Sequence, residues 1–315
     1  MEREMRVLVI GGSGHVSGAV VRAALAGGHE VWAVTRGQKP RTVEGVTWLQ
    51  ADRHLAGAME AAVAGQDTTW DLVVDCIAYD VPDIRQDVAL FRARARHLVF
   101  ISTDFVYDPS RRTFPQTEAT EAYVTVADGT QEYGRKKRLC ELELQRADTG
   151  PMAWTVLRPC HIYGPTSELG CLPRHGRDPE LVERLRRGEA LALVGGGHFL
   201  QQPVLADDLA LTALSAGGNS RAAGAICNLA GPDIVESRQY YQLVADALGT
   251  DLQVEEVPVQ AYRRQHPEHE PFLCHRVYDL SRLAACGLAA PSTPLAEGLR
   301  RHVDGLLARR GRAAG

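Results

Sequence analysis

The sequence predicts an α/β fold of the Rossmann type, a doubly wound parallel sheet with a smaller C-terminal lobe, and three observations carry that expectation. Short apolar runs recur along the chain without polar alternation, the pattern of parallel strands covered on both faces. Helical patterns separate them, and such βαβα alternation places helices on both sides of the sheet through right-handed crossovers. The first run, "VLVIGGSGHVSG" from Val7 to Gly18, ends in a glycine turn that opens a helix.

Strands are expected at 6–10, 31–35, 46–50, 72–77, 97–102 and 154–158, with helices over 16–27, 55–64, 84–93 and 131–147. After about Gly164 the rhythm breaks. "GPTSELGCLPRHGRDP" reads as a long loop, and loops of this length inside compact domains are usually functional or disordered. A helix over 180–188, the triple glycine Gly195–Gly197, a helix from about Asp207 and another over 236–248 follow. The final helix is expected near 295–308, with the basic tail "ARRGRAAG" frayed. No repeat or low-complexity linker interrupts the chain. The expected division is a dinucleotide-binding region over 1–165, with a returning segment near 199–230, and a substrate-binding region over 166–315.

Composition narrows the function. Apolar residues make up 45% and charged residues 23% of the 315, with a formal charge of −4, so nothing favours a nucleic-acid partner. Seven cysteines lack any CxxC pairing and read as thiols of a reducing compartment. No apolar run approaches the roughly 18 residues of a membrane span. "MEREMR" leads directly into a strand, so a cytoplasmic protein without a signal peptide is expected.

The glycine turn is a candidate pyrophosphate site. Gly11 would permit the tight turn and Gly14 a close backbone approach, while the helix start supplies amide donors and partial positive charge. Gly11, Ser13, Gly14, His15 and Val16 are therefore the expected contacts. The third glycine of the usual spacing is replaced by Ser17, with Gly18 one place late. That glycine serves helix–strand packing, so loss of binding does not follow. A plain strand-to-helix turn is the bland alternative. After the second strand, Thr35 stands where an acid would bind the ribose of NAD, and Arg36, Lys39 and Arg41 could attract a 2′-phosphate. This favours NADP over NAD; a solvated basic loop is the other reading. Asp52, after the third strand, could accept from an adenine amine or cap a helix.

Tyr133 and Lys137 in "EYGRKK" lie four apart on one helix face. A neighbouring ammonium favours the phenolate, which would suit Tyr133 to proton exchange at neutral pH. "FISTDFVYD" ends the fifth strand with Ser102, Thr103 and Asp104, where α/β active-site residues collect. Thr103 could hydrogen bond a substrate oxygen and Asp104 could act as an acid, or both could merely cap a turn.

With "LRPCHIYGP", these motifs resemble the extended short-chain dehydrogenase/reductases, the NAD(P)-dependent epimerase/dehydratase group, in the family's order and over nearly the whole chain. "FLQQPVLADDLALTAL" and "VYDLSRLAACGLAAPSTPLAEGL" resemble its returning segment and C-terminal end. The resemblance implies Tyr133 as general acid/base, and Lys137 as the residue that holds the nicotinamide ribose and lowers the tyrosine pKa. It implies that Thr103 orients the substrate oxygen, that Ala78 and Tyr79 line the phosphate–ribose stretch, and that the segment 158–163, with Pro159 and His161, lies along the nicotinamide. It also implies a nucleotide sugar or sugar-like substrate and a homodimer through the tyrosine-bearing helix, where Leu139, Leu142 and Leu144 offer apolar surface.

Three departures qualify the resemblance. Ser17 replaces a glycine. Phe105 stands where sugar 4,6-dehydratases have a glutamate, so "STDFVYD" is closer to the dehydrorhamnose-reductase type. The arginine before the returning strand is missing from "GGGHFLQQPV"; Arg174, Arg177, Arg263 or Arg276 could substitute for it, or be surface charges. Cys160 reads as a packed residue. His161, His198 and His275 show no metal spacing, and proline interrupts "HPEHE", so no metal is expected. An epimerase or reductase is thus expected ahead of a dehydratase, or of a non-catalytic dinucleotide sensor or RNA-associated protein on the same fold.

Overall fold

The computed structural model describes residues 4–38, 43–125 and 131–314. Ten elements alternate in the first half: β1 (Arg6–Ile10), α1 (His15–Ala26), β2 (Glu30–Thr35), β3 (Val46–Gln50), α2 (Ala58–Ala64), β4 (Leu72–Asp75), α3 (Val81–Phe91), β5 (His97–Ile101), α4 (Glu132–Arg146) and β6 (Ala153–Pro159). Shorter pieces follow: β7 (Ile162–Tyr163), α5 (Leu181–Arg186), β8 (Leu191–Val194), β9 (Leu200–Gln201), β10 (Val204–Leu205) and α6 (Ala206–Leu214). Then come β11 (Ala225–Leu229), β12 (Val235–Glu236), α7 (Ser237–Leu248), β13 (Val254–Val257), α8 (Val259–Gln265), α9 (Ser281–Ala285) and α10 (Leu295–Ala314).

Seven strands form one parallel sheet in the order β11-β6-β5-β4-β1-β2-β3. The chain runs outward from β1 to β3, then crosses back to β4. The crevice between the strand ends of β1 and β4 is thus the topological switch point, where open α/β sheets bind ligands. Apolar clusters cover both faces: Val7, Val9 and Leu209 lie in one, Leu8, Ile10 and Phe100 in the other. A third cluster joins α7 and α10 around Tyr240, Tyr241, Leu299 and Val303.

Several expected boundaries move for local reasons. β4 stops at Asp75 rather than 77, because the Asp75 carboxylate accepts from the amides of Ile77 (2.6 Å) and Ala78 (2.7 Å) and turns the chain. α3 starts earlier, at Val81, because Asp80 caps it and Pro82 fits its first turn. α2 starts later, after Gly57 in the left-handed region at φ 76°. α10 runs on to Ala314 in place of a frayed tail. Among the described residues, no helix is long and apolar enough to cross a membrane.

Two buried histidines give the fold a pH dependence. His97 Nε2 donates to Thr155 Oγ1 (2.8 Å), whose own hydroxyl donates to the Ala222 carbonyl, and His302 Nε2 donates to the Ser167 carbonyl (3.0 Å). Burial pushes each imidazole down to about 4. Unfolding returns them to about 6.5, so below that pH the unfolded chain binds more protons and stability falls with pH. Urea midpoints should drop between pH 6.5 and 4.5, with each histidine adding up to about 1.4 kcal/mol per pH unit. His97→Gln should flatten the slope by its share; an unchanged slope would contradict the burial argument.

Candidate active site

The glycine turn accommodates Ser17. Gly11 has φ 100°, and a Cβ there would meet Ile77 Cγ2 at 2.4 Å; a Cβ on Gly12 would meet Ala33 Cβ at 2.6 Å. Close approach of the turn to β2 is therefore provided by Gly12, which motif spacing did not single out. Ser17 is buried, its hydroxyl donates to the Gly11 carbonyl, and it accepts from the Gly14 amide at 2.9 Å. The serine thus ties the turn together, and Gly14 opens α1 in extended conformation. The first-turn amides of a helix have no carbonyl partner within it, so the turn remains suited to an anionic pyrophosphate. His15 Nδ1 pairs with Thr166 Oγ1 at 2.7 Å, which binds the long loop after Gly164 to the start of α1.

A buried ionic cluster shapes the switch point beside this turn. Arg53 reaches Asp75 (2.7 Å), Asp83 (3.2 Å) and Asp87 (2.9 Å). Burial works against the Asp75 carboxylate, but Arg53 and the hydrogen bonds it accepts hold it below the usual range. Burial and the neighbouring Asp75 push Asp87 well above that range. The turn at Asp75 presents the Ala78 carbonyl to Lys137, whose ammonium donates to Ala78 O (2.8 Å) and Ile101 O (2.7 Å). Two of its three donors are thereby used, leaving one for a ligand.

Tyr133 and Lys137 do occupy one side of α4. The Tyr133 phenol lies beside Thr103, and Thr103 Oγ1 accepts from the Phe105 amide at 3.3 Å, so the threonine caps a turn. Tyr133 as a whole residue is 41% exposed, and its ring stacks on Tyr79 with centroids 5.7 Å apart. One expectation is corrected here. Lys137 does not bring the phenol down: burial pushes Tyr133 up to about 12, against the Thr103 hydrogen bond, and Asp104 and Tyr79 add to the rise. Burial also lowers the Lys137 ammonium, whose contacts run to backbone carbonyls. Tyr133 therefore rests as a proton donor.

Gly134 sets the spacing between α4 and the strand-five turn. A Cβ there would lie 2.0 Å from the Phe105 carbonyl oxygen. Gly134→Ala should push α4 off this turn and move Tyr133 away from Thr103, lowering kcat roughly 100-fold, the scale of an ångström-sized misplacement. Steady-state kinetics that leave kcat within twofold would contradict this.

Two further expectations are corrected by buried ion pairs. Asp104, expected as an acid, is held as a counter-ion: Arg276 Nη1 donates to it at 2.7 Å, the Tyr278 hydroxyl donates to it, and Arg112 lies at 3.4 Å. Arg276 is 1% exposed and is no surface charge, whereas Arg263 pairs with Glu270 at the surface. Arg158, placed along the nicotinamide by resemblance, is instead locked to Glu141 through two bonds of 2.9 and 2.7 Å. Ser102 also donates to Glu141, at 2.7 Å. Glu141 thus clamps α4 to β5 and β6 behind Thr103, a role that no motif signalled.

Ser102, Thr103, Asp104, Tyr133, Pro159 and His161 border one cavity of about 400 Å³, together with Cys160, Phe105, Phe272, Arg177 and Arg276. Cys160 is packed, with its thiol on the Gln202 carbonyl. Burial, followed by Arg177, pushes His161 down to about 3 and keeps it neutral. Ala78 and Tyr79 follow β4, where the Ala78 carbonyl accepts from Lys137 and Tyr79 stacks on Tyr133. Arg36 is exposed at the end of β2, while Lys39 and Arg41 lie outside the described residues. Asp52 accepts from the His54 amide at 3.0 Å, so it caps a turn and not α2. In the expected interface, Leu144 belongs to the core, leaving Leu139 and Leu142 half-buried. His266, Glu268 and His269 bring three ligand-type atoms within 4.8 Å of one another at the surface, which the interrupted "HPEHE" spacing did not suggest.

Fold and cleft define a dinucleotide-dependent α/β enzyme. The sequence model of the NAD dependent epimerase/dehydratase family matches residues 7–230, and the chain belongs to that family, the extended short-chain dehydrogenase/reductases. It is 28% identical over 296 residues to 2'-dehydrokanamycin reductase of Streptomyces kanamyceticus, covering 90% of this chain and 79% of that one. It is 30% identical over 231 residues to 2-alkyl-3-oxoalkanoate reductase of Stenotrophomonas maltophilia (strain K279a), covering 68% and 67%. Its fold is similar to UDP-glucose 4-epimerase of Thermotoga maritima, solved with UDP-glucose, at TM-score 0.74, 20% identity and coverage of 97% and 99%.

Proposed function

We propose that this enzyme transfers hydride at a carbinol or ketone carbon of a nucleotide sugar or sugar-like metabolite, with reduction favoured over epimerisation and dehydration. The observation that carries this reading is that Thr103 and Tyr133 share one cavity wall, with the phenol protonated across the neutral range. A carbonyl that gains a hydride on carbon needs a proton on oxygen, and Tyr133 is placed to donate it. Thr103 supplies a second hydrogen bond to the same oxygen as negative charge develops. Elimination of water needs a further acid–base pair, and Phe105 offers none. Two relatives named as reductases support the reductive direction, and the UDP-glucose-bound neighbour supports the sugar class.

The residues present fit a dinucleotide: a glycine turn without room for a β-carbon at Gly11, free helix-start amides, and a spare Lys137 donor. Gly11, Ser13, Gly14, His15 and Val16 would hold its pyrophosphate, with Arg36 and Asp52 toward the adenosine. Ala78, Tyr79, Ser102, Tyr133, Lys137, Pro159 and His161 would line its nicotinamide half. When bound, it supplies or accepts the hydride. Exposed Arg36 beside Thr35 supports a preference for NADP, because a guanidinium–phosphate contact is charge-assisted. Leu139 and Leu142 support a homodimer through α4.

The test is to mix the enzyme with NADPH or NADH and a panel of ketosugars, keto acids and keto phosphates, following loss of reduced nicotinamide. NADPH should bind more tightly than NADH, and Arg36→Ala should remove about tenfold of its affinity. Tighter NADH binding that Arg36→Ala leaves unchanged would contradict the preference, and a deoxy-keto product would contradict the reaction.

A further inference from the structure

We propose that Arg276 receives a two-oxygen anion, a carboxylate or a phosphate, which the substrate carries close to its reacting carbon. This rests on the hydride-transfer reading for the reacting carbon, but the anion site stands on its own geometry. Arg276 is 1% exposed and forms part of the cavity wall that holds Thr103 and Tyr133. Nη1 is taken by Asp104 at 2.7 Å, while Nε and Nη2 are buried and find no acceptor among the described residues. Those two atoms form one edge of the guanidinium, the fork that takes two oxygens of one anion side by side. A buried charged donor left unpaired is costly, and a shift of the side chain that opens this edge to the cavity would let a ligand oxygen supply what the chain does not.

The charge balance points the same way. Two buried guanidiniums, Arg112 and Arg276, share the single carboxylate of Asp104, with Tyr278 also donating to it. Among the described residues, one positive charge of this group is therefore uncompensated. Arg177 adds a second cation to the wall, His161 is neutral, and Asp104 is the only acid among the lining residues. Arg276 also stands near the proton-transfer residues. Its Cζ lies 4.3 Å from the Phe105 ring, whose centroid is 6.2 Å from that of Tyr133. An anion at Arg276 is thus on a substrate atom near the carbonyl, rather than at the far end of a long ligand.

Calorimetry on the enzyme saturated with NADP⁺, which blocks reduction, tests this with matched pairs. 3-Oxooctanoate is compared with its methyl ester, and dihydroxyacetone phosphate with dihydroxyacetone, which separates the carboxylate source from the phosphate source. One anion should bind at least tenfold more tightly than its neutral partner. Arg276→Lys, which keeps a charge for Asp104 but loses the fork, should shrink that gap about tenfold without changing NADP⁺ affinity. If the lysine variant does not fold, Arg276→Met with Asp104→Asn removes both charges and should abolish the gap. No anion preference in the wild type, or a preference that survives these variants, would overturn the proposal. UDP-glucose binding that depends on Arg276 while neither small anion is preferred would also overturn it, in favour of a remote diphosphate. If no probe is ever reduced with NADPH yet the gap depends on Arg276, the hydride reading fails and the anion site stands.

Discussion

Tyr133→Phe should leave fold and cofactor affinity unchanged and lower the single-turnover rate by roughly two to four orders of magnitude, the scale of a lost general acid. The ring stays, with its stack on Tyr79, so little packing is lost. What goes is the phenol hydroxyl beside Thr103, the group placed to donate. Because burial holds that phenol up near 12, the resting group is an acid across the neutral range. Oxidation of an alcohol would need the phenolate, so the reverse reaction should rise with pH. Wild-type activity in the phenylalanine variant, measured on an identified substrate, would remove Tyr133 from the chemistry.

The second large effect is on stability. Arg53→Met should cost about 3–5 kcal/mol, the scale on which losing one partner strands a buried charge. Three aspartates face Arg53, and two of them, Asp75 and Asp87, are fully buried. The Asp75 turn also fixes the Ala78 carbonyl that holds Lys137, so cofactor affinity should fall alongside stability. Urea denaturation is the readout. A cost below about 1 kcal/mol would show that the cluster relaxes by protonation, as Asp87 already tends to do.

The sheet was legible because its strands are continuous apolar runs, and Leu8, Val74 and Phe100 are buried as that pattern demands. Tyr133 and Lys137 were legible as a pair because helical spacing is local. The ionic partners were not. Arg53 and Asp75 are 22 residues apart, and Asp104 and Arg276 are 172 apart, so only the crossover topology brings them together. The pKa direction of Tyr133 was misread for a related reason. Sequence shows that Lys137 is near, but not that backbone carbonyls engage its ammonium while burial dominates the phenol. β11 was expected only as part of a returning segment, since "AICNL" carries no turn chemistry that marks it as the strand beside β6.

The most direct measurement follows the hydride. The enzyme is given NADPH deuterated at the transferring position of the nicotinamide, with a ketone that it turns over, and the product is examined by mass spectrometry and NMR. The account predicts one deuterium on the former carbonyl carbon, with one stereochemistry, at a rate that collapses in Tyr133→Phe. Product without deuterium, or product that has lost water, would contradict it.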